Sequence, residues 1–260
     1  MALEIDATDR ICITGLPRTG KTTFMRWLLT LPAPNIYIMD PLDQYEQFGE
    51  VGDVLADGKR CIPLLSEGRQ RFEQVAQRLH NKSNITLAVE EAEQFIPQQY
   101  PLLPYTSSLI QAGRNWGIGI WCITRRIQGI NKVFFDLAQR VFFFRCGFKS
   151  REYIADMIGK EYMYPIVSPK YNKTGYTITT LPPFHFLDFN LETETAIVRT
   201  LKLGGIRSEV KEMSKKSEVK PEKPKAEEKD TKVEVQPAEK GEEVTAKEKG
   251  KTALWTPGRK

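Results

Sequence analysis

The sequence predicts an α/β domain with a mostly parallel sheet covered by helices, followed by a disordered tail. Three observations predict this. A glycine loop, Gly15-Leu16-Pro17-Arg18-Thr19-Gly20-Lys21-Thr22-Thr23, stands between an apolar run at 10–14 and a helically spaced stretch at 24–29. Further apolar runs alternate with helical patterns to about residue 160, the arrangement that gives parallel strands joined by crossover helices. Residues 209–251, by contrast, carry 12 basic and 12 acidic side chains and no aromatic. Such a segment cannot bury enough apolar surface to offset its ordering entropy, so the domain is placed at 1–208 and the tail at 209–260.

Arg10-Ile11-Cys12-Ile13-Thr14 reads as the first strand, and Phe24, Leu28 and their neighbours as the helix after the loop. A second strand covers 35–41 and ends in Asp40; a short strand is expected at 60–64. Phe72, Val75, Ala76 and Leu79 repeat at helical spacing. The run 84–89 is a buried strand ending in Glu90 and Glu91. A helix over 105–116 leads into a strand at 117–124, a helical stretch at 134–138 into a strand at 140–145, and another helix is expected from 153. A β-hairpin is expected at about 164–180, with its turn near 172–175. In a parallel sheet, ligands sit beyond the C-terminal ends of the strands, where Gly15, Asp40, Glu90, Glu91 and Thr124 all fall.

Composition narrows the function classes. Residues 1–208 hold 24 basic and 21 acidic side chains, too small an excess to announce nucleic acid, so any DNA-binding surface must be local. Cys12, Cys61, Cys122 and Cys146 lie far apart in apolar runs without a C-x-x-C pair, which argues for buried thiols rather than zinc or redox chemistry. The apolar run Val141-Phe142-Phe143-Phe144 is far short of a membrane span, and no signal peptide is seen. A soluble cytoplasmic protein is expected.

The glycine loop fits G-x-x-x-x-G-K-[ST] in the strand–loop–helix context that makes it a phosphate-binding loop. Glycines let successive N–H groups turn inward towards phosphate oxygens, and the helix N-terminus adds a favourable dipole. Residues 15–23 are therefore the nucleotide cradle, with Lys21 reaching the β- and γ-phosphates and the Thr22 hydroxyl ligating Mg²⁺. ATP hydrolysis also needs a metal carboxylate and a group that orients water. Glu90 is assigned to Mg²⁺ and Glu91 to the nucleophile, while Glu93 is expected at the surface.

The phosphate loop, the motif Glu90-Glu91-Ala92-Glu93-Gln94-Phe95, and Gly113-Arg114-Asn115-Trp116-Gly117-Ile118-Gly119-Ile120 leading to Ile123-Thr124 together resemble the FtsK–HerA superfamily of RecA-like P-loop ATPases. The resemblance covers about 8–185. It implies a hexameric or pentameric ring that pumps double-stranded DNA, and the superfamily includes genome-packaging ATPases of membrane-containing icosahedral viruses. Host cytoplasm or virion would then be the location, and a capsid or portal-vertex protein a partner for the tail, which ends in Trp255. Small size favours the packaging branch. The resemblance further implies that Arg114 completes a neighbouring subunit's site, with Arg140 the second candidate and a helix-capping role the alternative. Thr124 is implied as the γ-phosphate sensor. Two departures stand out: Glu90 replaces the usual Asp, and Arg125 follows Thr124 where most members have Gln. The basic turn containing Arg125, Arg126, Gln128, Asn131 and Lys132, and the proline-rich loop 97–104, are the expected DNA-facing segments. The competing class is a non-motor nucleotide switch, such as a zonula-occludens-toxin-like assembly factor.

Overall fold

A computed structural model describes residues 3–33, 35–55, 58–158, 178–202 and 205–207. All of these belong to one compact unit, Met1–Lys215. The expected tail, and all of the expected hairpin before residue 178, lie outside the described residues.

The chain runs through β1 (Arg10–Thr14), α1 (Lys21–Leu28), β2 (Ile36–Met39), β3 (Arg60–Cys61), α2 (Gly68–Leu79) and β4 (Ile85–Val89). It continues through α3 (Ala92–Phe95), α4 (Pro104–Ala112), β5 (Ile118–Thr124), α5 (Lys132–Asp136), β6 (Arg140–Phe144) and α6 (Phe148–Ile158). Three further strands follow: β7 (His185–Asn190), β8 (Thr195–Lys202) and β9 (Gly205–Arg207). Among the described residues all nine strands form one sheet, in the order β3-β2-β4-β5-β1-β6-β7-β8-β9. The first six are parallel, and β7, β8 and β9 extend the sheet antiparallel from β6.

Both sheet faces are covered, which is why the inner strands are largely apolar instead of alternating. In β6, Phe142 and Phe144 join Ile11, Ile13, Phe24 and Leu28 under α1. Their neighbours Val141 and Phe143 face the opposite core, with Phe72 and Val75 of α2, Leu109 of α4 and Ile154 of α6. Around Phe24 the rings of Phe142 and Phe186 lie 4.7 and 4.8 Å away. The phosphate-loop helix is thus seated on an aromatic floor. The four cysteines are buried and unbridged, as expected. No helix among the described residues is long and apolar enough to cross a membrane.

The parallel α/β core follows the sequence reading; the antiparallel extension does not. Its signal is masked by charge. Asp188 and Arg199 lie inside β7 and β8, where they form a buried pair at 2.7 Å, and Arg140 stands 3.5 Å from the other Asp188 oxygen. Helix α6 also begins at Phe148, five residues before the periodicity suggested.

Candidate nucleotide site

Because β1 lies between β5 and β6, its C-terminal end opens at the middle of the sheet edge. There the chain turns through left-handed conformations at Gly15 (φ 146°), Arg18 (φ 61°) and Gly20 (φ 112°). At Gly15 a Cβ would come within 2.8 Å of the Phe144 Cβ, so glycine is needed for space as well as for φ. The loop is tied internally by Thr19 Oγ1 donating to the Leu16 carbonyl at 2.8 Å, and to the end of β6 by Leu16 N–H donating to the Arg145 carbonyl at 2.8 Å. Lys21 is folded back over the loop, its Nζ donating to the same Leu16 carbonyl at 2.9 Å. Burial of its ammonium, 8% exposed overall, pushes its pKa below the ordinary lysine value. A buried cation in a loop of glycine-turned backbone fits a polyphosphate, which would take over the bond now made to Leu16.

Two strands away, β4 ends at Val89 and delivers the acids. Glu90 is 5% exposed and accepts a hydrogen bond from Tyr45 Oη at 2.6 Å. Burial pushes its carboxyl up to about 7, against the opposing effect of the Tyr45 bond. Tyr45 is held in place by Asp40, which accepts the N–H groups of Gln44 and Tyr45, both at 2.8 Å, and pairs with Arg60 at 3.0 Å. Asp40 therefore supports Glu90 through Tyr45.

Glu91 occupies a left-handed conformation (φ 54°, ψ 43°) at the start of α3, a strained geometry for a non-glycine residue and frequent at functional sites. Its Oε1 accepts from Arg125 Nε at 2.8 Å and lies 2.6 Å from Arg125 Nη2. Burial raises the Glu91 pKa, with Glu93 adding to it and Arg125 opposing. Glu93 is not the surface residue expected: it is half-buried and its Oε1 accepts the Arg125 N–H at 3.2 Å. The acidic cluster and the end of β5 are thus braced together, and both Glu90 and Glu91 act electrostatically on Lys21.

Thr124 is fully buried at the end of β5, in register with Thr14. Its hydroxyl donates to the Arg126 carbonyl at 2.9 Å. The side chain that faces Glu91 from this strand end is Arg125. Arg114 lies in the 3₁₀ turn before β5, at the opposite end of the strands from the cradle. Its Nη1 is 2.8 Å from Glu192 Oε1 and its Nη2 3.9 Å from Asp9 Oδ1. Arg140 also lies at that opposite edge, 3.5 Å from the buried Asp188 and donating to the Glu4 carbonyl at 2.7 Å. The structure thus brings together residues 15–23, Glu90 and Glu91, and sets Arg114 apart from them.

Mg²⁺ fits this set. It is commonly held by one or two carboxylates, a hydroxyl, substrate phosphates and several waters. Among the described residues no group of three His, Cys, Asp or Glu is assembled, so no all-protein cage exists. Glu90 and Thr22 would hold the ion, which supplies charge neutralisation to the phosphates.

No family model matches the sequence, and no curated protein matches it either. Solved structures do. The genome-packaging NTPase B204 from Sulfolobus turreted icosahedral virus 2, in complex with AMPPCP, superposes with a TM-score of 0.61 at 17% identity, covering 76% of this chain and 100% of that one. Its sulfate complex gives 0.62 at 16% identity, over 76% and 99% of the two chains. B204 of Sulfolobus turreted icosahedral virus, a DNA-packaging ATPase, gives 0.52 at 15% identity. The fold is that of an α/β P-loop NTPase, shared with these structures.

Proposed function

We propose that this chain is an ATPase that drives double-stranded DNA translocation, of the genome-packaging type, and works as a homo-oligomeric ring. The observation that carries the reading is the meeting of Lys21 with Glu90 and Glu91 at the C-terminal sheet edge, in a fold shared with B204 over that protein's whole length. In this reading residues 15–23 bind the triphosphate, and Glu90 with Thr22 holds Mg²⁺. Glu91 orients and polarises the attacking water, and Arg114 reaches the site of the adjacent copy. Thr124 positions the turn that carries Arg125, rather than offering its own hydroxyl to phosphate. Arg125, paired with Glu91, is the cation placed to respond to a γ-phosphate; its transfer to phosphate would free Glu91 for water.

DNA would meet the turn after β5. There Arg126 and Lys132 are exposed, while Asn131 caps α5 through the Val133 N–H at 3.0 Å and Gln128 donates to the Lys149 carbonyl at 3.4 Å. Repeated round a ring, these two exposed cations per copy would grip phosphates without reading bases. The tail would dock on a capsid or portal-vertex protein, and the location would be host cytoplasm or virion.

The test is steady-state ATP hydrolysis with and without duplex DNA, together with native mass. Turnover stimulated several-fold by DNA in a pentamer or hexamer supports the motor. DNA-indifferent turnover in a monomer replaces it with a nucleotide switch.

A further inference from the structure

Phe184 borders the cradle and takes no part in the phosphate chemistry. It follows Pro182 and Pro183, stands in a left-handed conformation (φ 64°), and keeps 44% of its surface exposed. Large aromatic residues rarely hold positive φ, so the surrounding bonds must impose it. They are visible: Phe184 N–H donates to the carbonyl of Thr19 at 2.8 Å, and its own carbonyl accepts the Leu201 N–H at 2.8 Å. The ring lies against the phosphate loop itself. A Cβ on Gly20 would come within 2.9 Å of Phe184 Cδ1.

The sheet order says what would lie on that ring. The acids that serve the terminal phosphate follow β4, on one side of β1 with β5 between. A triphosphate held by Lys21 with its terminal phosphate towards Glu90 and Glu91 must lead its sugar and base the other way, across β1 towards β6 and β7. The loop before β7 carries Phe184.

We infer that Phe184 is the stacking platform for the nucleobase of the bound nucleoside triphosphate, resting on the nucleotide-site reading above. A π-face recognises any base by overlap, so the platform adds affinity for nucleosides without selecting among bases by hydrogen bonds.

The experiment titrates the full chain with AMPPCP and, separately, with inorganic tripolyphosphate, which has no base, using calorimetry in Mg²⁺. Phe184→Ala should weaken AMPPCP by about tenfold and leave tripolyphosphate within about twofold, since base–aromatic stacking contributes in that range. Phe184→Trp should restore AMPPCP binding, and its indole emission should change with AMPPCP but not with tripolyphosphate. Phe184→Leu, which keeps apolar bulk without a π-face and guards against loss of the fold, should fall between wild type and Phe184→Ala. Equal loss of both ligands, or no loss of AMPPCP in any variant, overturns the platform. Lys21→Ala separates the two readings by weakening both ligands. A wild-type chain that binds neither ligand refutes the nucleotide site itself, and the platform with it.

Discussion

Glu90 provides the sharpest energetic test, because its carboxyl is buried before any metal arrives. Its pKa rises from an ordinary 4.5 to about 7 on folding. At 1.36 kcal/mol per pH unit, that gap corresponds to about 3 kcal/mol. The sign follows from proton counting. Below about 4.5 the carboxyl is protonated in folded and unfolded chains alike, and nothing is lost. Between 4.5 and about 7 the unfolded chain releases the proton while the folded chain keeps it, so stability falls as pH rises. Above 7 both are ionised and the whole cost is present. Glu90→Gln has no proton to lose, and its amide oxygen can still accept the Tyr45 bond. In magnesium- and nucleotide-free buffer the variant should therefore melt above wild type, with most of the difference opening between pH 5 and 8. For a domain of about 200 residues, 3 kcal/mol is about 6–12 °C in Tm. Thermal unfolding of both proteins across that pH range is the assay. Mg²⁺ with AMPPCP at pH 8 should narrow the gap, since the cation compensates the carboxylate. Parallel curves for the two proteins would show that Glu90 is ionised throughout, and would refute the buried-acid reasoning.

Two further outcomes follow from the cradle. Lys21→Ala should lose hydrolysis by about 10²-fold or more, because a charge-assisted contact to the triphosphate is gone; near wild-type steady-state turnover would remove Lys21 from the site. Arg125 opposes the rise in the Glu91 pKa, so Arg125→Ala should move the acidic limb of the ATPase pH profile to higher pH. A limb that stays in place would show that Glu91 is not the titrating base.

The glycine loop after β1, the acidic end of β4 and six parallel strands were legible because their signals are local. Residues 15–23 fix a turn by glycine spacing, and the runs ending at Thr14, Val89 and Thr124 are mostly apolar. What was hidden depends on partners far apart in the chain. Tyr45 reads as a loop aromatic until folding places it under Glu90, 45 positions away. Glu93 reads as a surface acid until the end of β5 reaches it. Asp188 and Arg199 spoil the apolar pattern of β7 and β8, and their pairing across the two strands helps make both tolerable in the core. Phe184 offers no pattern at all; its position next to Gly20 exists because the sheet continues past β6.

The opposite sheet edge carries both candidate arginines. β5 spans seven residues from Ile118 to Thr124, about 20 Å at the usual rise per residue, so Arg114 cannot reach the cradle of its own chain. A finger at this edge serves a neighbouring copy or none. The cost of releasing it differs sharply between the candidates. The Arg114 side chain is 40% exposed and that of its nearer partner Glu192 is 54% exposed, so their bond is a solvent-screened pair of about 0–1 kcal/mol. Arg140 is tied to the carbonyl of Glu4 and to Asp188, whose side chain is 2% exposed. Removing it would leave Asp188 with Arg199 alone in the core, a loss of about 1–3 kcal/mol. For the proposed ring, Arg114 is therefore the arginine predicted to act as the finger. Arg114→Ala should melt close to wild type yet be inactive, whereas Arg140→Ala should melt lower. Mixed with Glu91→Gln chains, Arg114→Ala chains should regain part of the activity, because some interfaces then hold an intact Glu91 facing an intact Arg114. No recovery at any ratio, in rings shown by native mass to contain both variants, would return Arg114 to the service of Glu192 and Asp9.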